Sequence, residues 1–135
     1  MLSLSEVGVL FPAIPLAIVA LNFRYTSLAG LMRDLHAHLD KDGLNTKQQK
    51  VLCDELDIMA RRMSLVKYSL FFLGLSFVTN LLTLFFVLNQ GVRISMFFLN
   101  TTIVLMVAAS CFFCIETVLS TKALRIHLSG VKGQN

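Results

Sequence analysis

Charged side chains are scarce in this 135-residue chain: 15 % of its residues are Asp, Glu, Lys or Arg, whereas 56 % are hydrophobic. Most of the charges fall in one central block, and the mean hydropathy of the chain is +0.72. A soluble domain of this length needs far more polar surface to cover its core. The scarcity of charge therefore excludes an ordinary soluble domain and indicates an integral membrane protein.

Positive charge is missing from the start of the chain, where no Lys or Arg precedes Arg24. A cleaved signal peptide begins with a positively charged segment and ends at a small-x-small site. The first apolar run instead ends in ALNFRY, which is a poor cleavage site. We therefore interpret this run as a retained membrane span.

Three apolar runs are candidate spans, at about residues 7–23, 68–88 and 96–119. A helix needs about 20 mostly apolar residues to cross a hydrocarbon core of roughly 30 Å. The second and third runs meet this length. The first run is short, and we include it because an amphipathic helical pattern continues beyond it.

The central block, residues 24–67, predicts two further helical segments. Apolar residues recur there at helical spacing on both sides of DKDGLN, residues 40–45, which we interpret as a turn. The predicted fold is all-α, a single membrane domain in which spans one and two extend into a cytosolic antiparallel helical hairpin. The C-terminal tail, residues 120–135, predicts a short helical continuation that ends near Ser129 and Gly130.

Lys and Arg are concentrated in the central block and the tail, whereas the connection between spans two and three contains only Arg93. The positive-inside rule then places the N-terminus outside and both the hairpin and the C-terminus in the cytoplasm. The formal net charge of +4 follows from this bias and requires no nucleic-acid partner.

Cysteine is also rare, with three residues in the chain. Cys111 and Cys114 have CxxC spacing, but reactive pairs of this kind usually sit at a helix N-terminus, where the dipole favours a thiolate. This pair lies late in an apolar run, so we interpret both as small packing residues. The sequence contains no nucleophile–base set and no complete metal-ligand shell. We therefore predict no catalytic residue, no metal and no cofactor, and expect that the protein is not an enzyme.

Glu116 is an acid inside the third apolar run, where charges are costly and often functional. It lies about nine residues, or roughly 13 Å of helix, from Val107 in the middle of that run. Half of the hydrocarbon core is about 15 Å, so we expect Glu116 near the cytoplasmic boundary, level with Arg24 and Lys67 and close to Asn22. We predict an ionic lock between Glu116 and either Arg24 or Lys67. A proton or cation site at a pore mouth and a lone acid facing headgroups are the alternatives.

Spans two and three each carry a face of small and hydroxyl residues that repeats every seven positions. The residues on or beside this face of span two are Ser69, Ser76, Thr79, Asn80 and Thr83. Those in span three are Thr102, Ala109 and Glu116. Such faces are typical of close helix–helix packing, and a water-lined path would show the same pattern. Both interpretations stay open at this point.

The closing motif ETVLSTKALRIHL, with Glu116, Ser120 and the pairs 123–124 and 127–128, resembles that of a bacterial family of short membrane proteins known only as a conserved domain of unknown function. The segment NFRY, residues 22–25, and the pair Arg61-Arg62 resemble other charged landmarks of that family. The resemblance covers nearly the whole chain. It implies an all-helical, three-span membrane protein with a cytosolic helical segment, and it implies no activity.

Two functions are compatible with these patterns in a multi-pass protein of the bacterial cytoplasmic membrane, embedded in the lipid bilayer. The first is a homo-oligomeric assembly that forms a small ion-conducting pore, with a water-accessible ring of hydroxyl residues. The alternative is a non-conducting scaffold or sensor whose cytosolic hairpin binds a protein partner. It predicts an exposed apolar patch at one or more of four residues: Leu35, Leu39, Leu52 and Leu56.

Overall fold

The computed structural model describes residues 4–40, 43 and 45–132, and every regular element among them is an α-helix. Helix α1 comprises Leu4–Leu39, α2 comprises Thr46–Leu88 and α3 comprises Val92–Lys132. Each of the three predicted spans lies within one of these helices. Helix α3 continues to Lys132, past Ser129 and Gly130, so most of the segment interpreted as a tail belongs to the third helix.

The helices are longer than a membrane is thick. They contain 36, 43 and 41 residues, which at 1.5 Å per residue corresponds to about 54–65 Å, roughly twice the hydrocarbon core. All three are long and apolar enough to span a membrane. The predicted all-helical class with three membrane-spanning candidates is confirmed.

Helix α2 is central, because it packs against both α1 and α3. The rings of Phe11, early in α1, and Phe77, late in α2, have centroids 5.9 Å apart. Since the two residues lie at opposite ends of their helices, α1 and α2 run antiparallel. Their buried contact is apolar and includes Ile14, Leu21 and Leu73.

The first turn joins α1 to α2 through residues 40–45. Gly43 has φ = 131°, a backbone conformation that glycine adopts without the steric cost of a Cβ atom. Asn45 precedes α2, and its N–H donates to Oε1 of Gln48 at 3.4 Å. This bond satisfies a donor at the start of the helix, as in a capping box.

The second turn ends α2 with a Schellman motif. The N–H of Gly91 donates to the carbonyl of Phe86 at 2.9 Å, and the N–H of Gln90 donates to that of Val87 at 3.2 Å. This pair of hydrogen bonds requires a left-handed backbone conformation at the residue before Gly91. That residue is Gln90, which has φ = 60°. The short turn brings α3 back along α2.

The interior contains polar as well as apolar side chains, whereas the outer surface carries many large apolar ones. Glu116, Asn80, Thr83 and Thr102 are fully buried, whereas Phe23 is 75 % exposed. Many other large apolar side chains of the helices are exposed as well. Lipid tails are the medium that covers such a surface, since in water it would associate or aggregate.

We predict that Gln90→Gly stabilises the protein by about 1 kcal/mol, because glycine removes the steric cost of a left-handed conformation. Thermal unfolding in detergent measures the change. Gln90→Ala keeps the Cβ atom and should give no gain. A melting temperature for Gln90→Gly that is equal to or below that of the wild type would contradict the prediction.

Candidate functional site

The antiparallel contact between α2 and α3 has a constant register. Ser69 Oγ donates to the carbonyl of Ala109 at 2.8 Å, and Ser76 Oγ donates to that of Thr102 at 3.3 Å. Seven residues forward on α2 thus correspond to seven residues backward on α3. Side chains of this size allow the two helix backbones to approach closely.

A pair of threonines adds a side-chain contact to this interface. Thr79 Oγ1 and Thr102 Oγ1 are 2.8 Å apart, and each also lies 2.9 Å from a carbonyl of its own helix. Since each hydroxyl carries one proton, one threonine donates across the interface while the other donates within its helix. The hydroxyl groups are therefore satisfied inside the protein.

The same register, continued by seven residues, places Arg62 of α2 opposite Glu116 of α3. Glu116 is 0 % exposed, and its Oε1 accepts a hydrogen bond from Nε of Arg62 at 3.2 Å. The Nη2 group of Arg62 donates to Oγ of Ser120, one helical turn further along α3, at 3.0 Å. Arg62 therefore bridges two residues on one face of α3.

Helix α1 also supplies a cation, Arg24. Nε of Arg24 lies 2.9 Å from Oε2 of Glu116, but outside hydrogen-bond geometry, so the contact is an ion pair without a directed bond. The Arg24 guanidinium also lies over the ring of Phe113, 5.3 Å from its centroid, which is within the range of a cation–π contact. We call Arg24, Arg62, Phe113, Glu116 and Ser120 the Glu116 cluster.

The Glu116 cluster ties the three helices together at one level. A carboxylate removed from water is costly unless charges and hydrogen bonds replace its hydration. Here a guanidinium from each of the other helices reaches it, and the arginine side chains are 34 % and 15 % exposed for Arg24 and Arg62. The carboxylate is thus the meeting point of α1, α2 and α3.

The sequence predicts a charge layer, that is, residues at the level of Glu116, and the structure brings only some of them into contact. Glu116 and Arg24 are in contact, as the ionic-lock hypothesis requires. Lys67 is exposed, and Arg62 is the second cation at Glu116. Lys67 is five residues from Arg62, so it projects about 140° away around the helix. Asn22 is also exposed and lies outside the cluster.

The residues expected to line a pore or a packing face are all buried between helices of one chain. They are Ser69, Ser76, Thr79, Asn80, Thr83 and Thr102. The hydrogen bonds of Ser69, Ser76 and Thr79 connect α2 to α3, and Thr83 Oγ1 donates to the carbonyl of Thr79. Within this fold the hydroxyl face is a packing face.

Asn80 differs from its hydroxyl neighbours. Its side chain is fully buried, yet neither its Nδ2 nor its Oδ1 has a hydrogen-bond partner among the described residues. An unsatisfied amide inside a protein costs about 1–3 kcal/mol. Asn80 is therefore a polar group that destabilises this packing arrangement.

The cysteines do not pack in the interior. Cys53, Cys111 and Cys114 are free thiols with exposed side chains. Cys111 and Cys114 lie on the outer face of α3, and their interpretation as small packing residues in the lipid phase stays a prediction. Within the part of the chain that the structure describes, no three His, Cys, Asp or Glu side chains are grouped closely enough to hold a metal ion.

Three members of the Glu116 cluster were not predicted to belong to this site: Phe113, Arg62 and Ser120. The signal for Arg62 lies in the seven-residue repeat, since one further step back from Ser69 reaches it. Ser120 follows Glu116 by four residues, which is the spacing of neighbours on a helix face. Arg62 and Ser120 both belong to the landmarks on which the family resemblance rests.

The apolar helices, the inward-facing hydroxyl groups and the buried, ion-paired carboxylate define a multi-pass α-helical membrane protein. The chain belongs to the family described as protein of unknown function DUF2721, whose model matches residues 8–126. That range contains every residue of the Glu116 cluster, and it confirms the resemblance drawn from the sequence. No curated protein and no solved structure matches the chain.

We predict that Glu116→Gln and Arg62→Gln each destabilise the detergent-solubilised protein by about 3 kcal/mol, because Glu116→Gln removes the counter-charge of two arginines and Arg62→Gln removes the hydrogen-bonded partner of a buried carboxylate. Arg24→Gln should cost less, since its side chain is the more exposed of the two arginines. Thermal unfolding measures all three changes.

Lys67→Gln and Asp57→Asn are the matched controls, because both residues are exposed. Each should change stability by less than about 0.5 kcal/mol. Equal melting temperatures for Arg62→Gln and Lys67→Gln would contradict the assignment of Arg62 as the buried partner.

We predict that Asn80→Leu raises stability by about 1–3 kcal/mol, because leucine has the same branching and removes the unsatisfied amide. Asn100→Leu is the control, since Asn100 is exposed on α3. A lower melting temperature for Asn80→Leu would show that the amide has a stabilising partner in the membrane.

Proposed function

We propose that this protein is a non-conducting membrane scaffold or sensor whose extramembrane helical segment binds another protein. The observation that carries the proposal is that hydroxyl groups in the predicted spans form hydrogen bonds within the chain. Ser69, Ser76 and Thr79 are hydrogen-bonded across the α2–α3 contact and are buried. A pore lined by these side chains requires the two helices to separate and their hydrogen bonds to break.

The helices also extend far enough to present a surface beyond the bilayer. If the apolar run 68–88 occupies the hydrocarbon core, residues 46–67 of α2 project about 33 Å outside it at 1.5 Å per residue. The positive-inside rule favours the cytoplasm for this segment. The parts of α1 and α3 beyond the charge layer would accompany it as a three-helix projection.

A groove between α2 and α3 is the surface best suited to a partner. Its rim carries both signs of charge, with Asp54, Asp57, Arg61 and Lys122, and its floor is apolar: Ile58, Leu119 and Ala123. The four leucines expected as an exposed patch, Leu35, Leu39, Leu52 and Leu56, are only partly exposed. The groove combines charged and apolar side chains, and it is therefore the surface that we propose for a protein segment of mixed charge.

A small pore is the second candidate, and Asn80 is the observation that favours it. A hydrated path would supply the hydrogen bonds that the buried Asn80 amide lacks among the described residues. The expectation of a homo-oligomer stays a prediction. The hydroxyl faces that motivated it are occupied within one chain.

Ion flux in proteoliposomes separates the two candidates. We expect wild-type protein to conduct no more than protein-free vesicles. Flux that appears with the wild type and is abolished by Asn80→Leu would overturn the scaffold proposal and support the pore.

Site-specific photo-crosslinking in cells tests the partner surface. A photoreactive residue at Arg61 or Ala123, in the groove, should capture a different protein, whereas one at Val104, which is 67 % exposed on the apolar part of α3, should not. Capture that is equal at all three positions, or absent from both groove positions, would contradict the proposal.

A further inference from the structure

The charges of the Glu116 cluster do not cancel. It contains two arginines, which stay protonated in proteins, and one carboxyl group. Even with Glu116 ionised, at least one positive charge is uncompensated. No other acidic side chain in the described part of the chain forms an ion pair with Arg24 or Arg62.

Arg24 also has unused hydrogen-bond donors. A guanidinium has five N–H groups, and the only polar contact of Arg24 among the described side chains is that of its Nε with Glu116. Neither Nη group of Arg24 forms a hydrogen bond with another described residue. Phe113 covers one face of the guanidinium, and the side chain is 34 % exposed, so solvent or lipid can reach its free edge.

The level of the cluster favours a lipid headgroup as the ligand. Arg24 directly follows the apolar run 7–23, and Arg62 lies six residues, or about 9 Å, before the run 68–88. Headgroups occupy about 5–8 Å on each side of the hydrocarbon core. These estimates put Arg24 at the edge of the hydrocarbon core and Arg62 at the outer limit of the headgroup layer, so the two guanidinium groups bracket the depth of lipid phosphates. Phe23 and Ile115 directly precede Arg24 and Glu116 in the sequence, and Tyr68 begins the run 68–88. The side chains of these three residues are exposed and offer apolar surface for acyl chains.

We propose that the free edge of Arg24, supported by the uncompensated charge of the Glu116 cluster, binds the phosphate of an anionic phospholipid in the adjoining leaflet. A planar guanidinium pairs with phosphate through two parallel hydrogen bonds, which a lysine cannot form. Arg24 differs from exposed cations such as Lys67, because its guanidinium lies over the ring of Phe113 and beside Glu116. This site does not depend on the proposed scaffold function.

Native mass spectrometry of the delipidated full chain tests the site. The protein in neutral detergent is titrated with phosphatidylglycerol and, separately, with phosphatidylcholine. We expect one phosphatidylglycerol per chain, bound about tenfold or more tightly than phosphatidylcholine. Arg24→Gln should weaken phosphatidylglycerol binding by about tenfold or more, since a charge-assisted bidentate contact is lost.

Arg33→Gln is the matched control, because Arg33 is an exposed arginine on the same helix. It should bind phosphatidylglycerol like the wild type. Arg24→Lys keeps the charge beside Glu116 and should still weaken binding several-fold. If Arg24→Gln does not yield folded protein, phosphatidylglycerol binding is compared between Arg24→Lys and the wild type.

Competition with inorganic phosphate identifies the source of the phosphate group. We expect millimolar phosphate to leave phosphatidylglycerol bound, because the acyl chains add contacts that the free ion lacks. Displacement of the lipid by phosphate would overturn the assignment to a phospholipid in favour of a soluble anion. Equal affinity for the two lipids, or unchanged binding in both Arg24 variants, would overturn the site itself.

Discussion

The close antiparallel approach of α2 and α3 is the constraint on which the other features of this protein depend. At seven-residue steps the facing side chains must be small, and the hydroxyl of Ser69 reaches a backbone carbonyl of the opposite helix. Hydrogen bonds of this kind also satisfy polar groups that lipid cannot satisfy. Because one such contact sets the register of two rigid helices, it also determines which charged residues meet at the end of the interface.

Glu116 is tolerated in the interior because this register delivers Arg62 to it while α1 delivers Arg24. Helix α1 packs mainly on α2, through apolar side chains that permit some rotation or sliding. The ion pair between Arg24 and Glu116 requires the two side chains to meet at one level and connects α1 to α3. Apolar packing thus holds the helices together, and the charge cluster selects one arrangement of them.

The distribution of polarity along the helices is the basis of our proposal that this protein anchors and presents a surface. Hydroxyl groups in the α2–α3 contact are buried and form hydrogen bonds within the chain, many large apolar side chains face outward, and most charges lie beyond the apolar runs. An arrangement of this kind leaves the surface beyond the membrane available for recognition. Asn80 is the exception, as a buried amide without a partner in the described structure.

The sequence could predict the membrane class, the three spans, the seven-residue faces and the position of Glu116 as an acid within an apolar run. Hydropathy and periodicity, on which these predictions rest, are local properties of a chain. From the sequence, Arg24 and Lys67 were the two expected ion-pair partners of Glu116. Only the tertiary structure decided that Arg62 is the second cation instead of Lys67, and that the hydroxyl faces meet within one chain. These outcomes depend on the relative register and rotation of separate helices. A difference of five residues on one helix turns a side chain by about 140°, and the composition of that helix alone carries no information about which face its neighbours will cover.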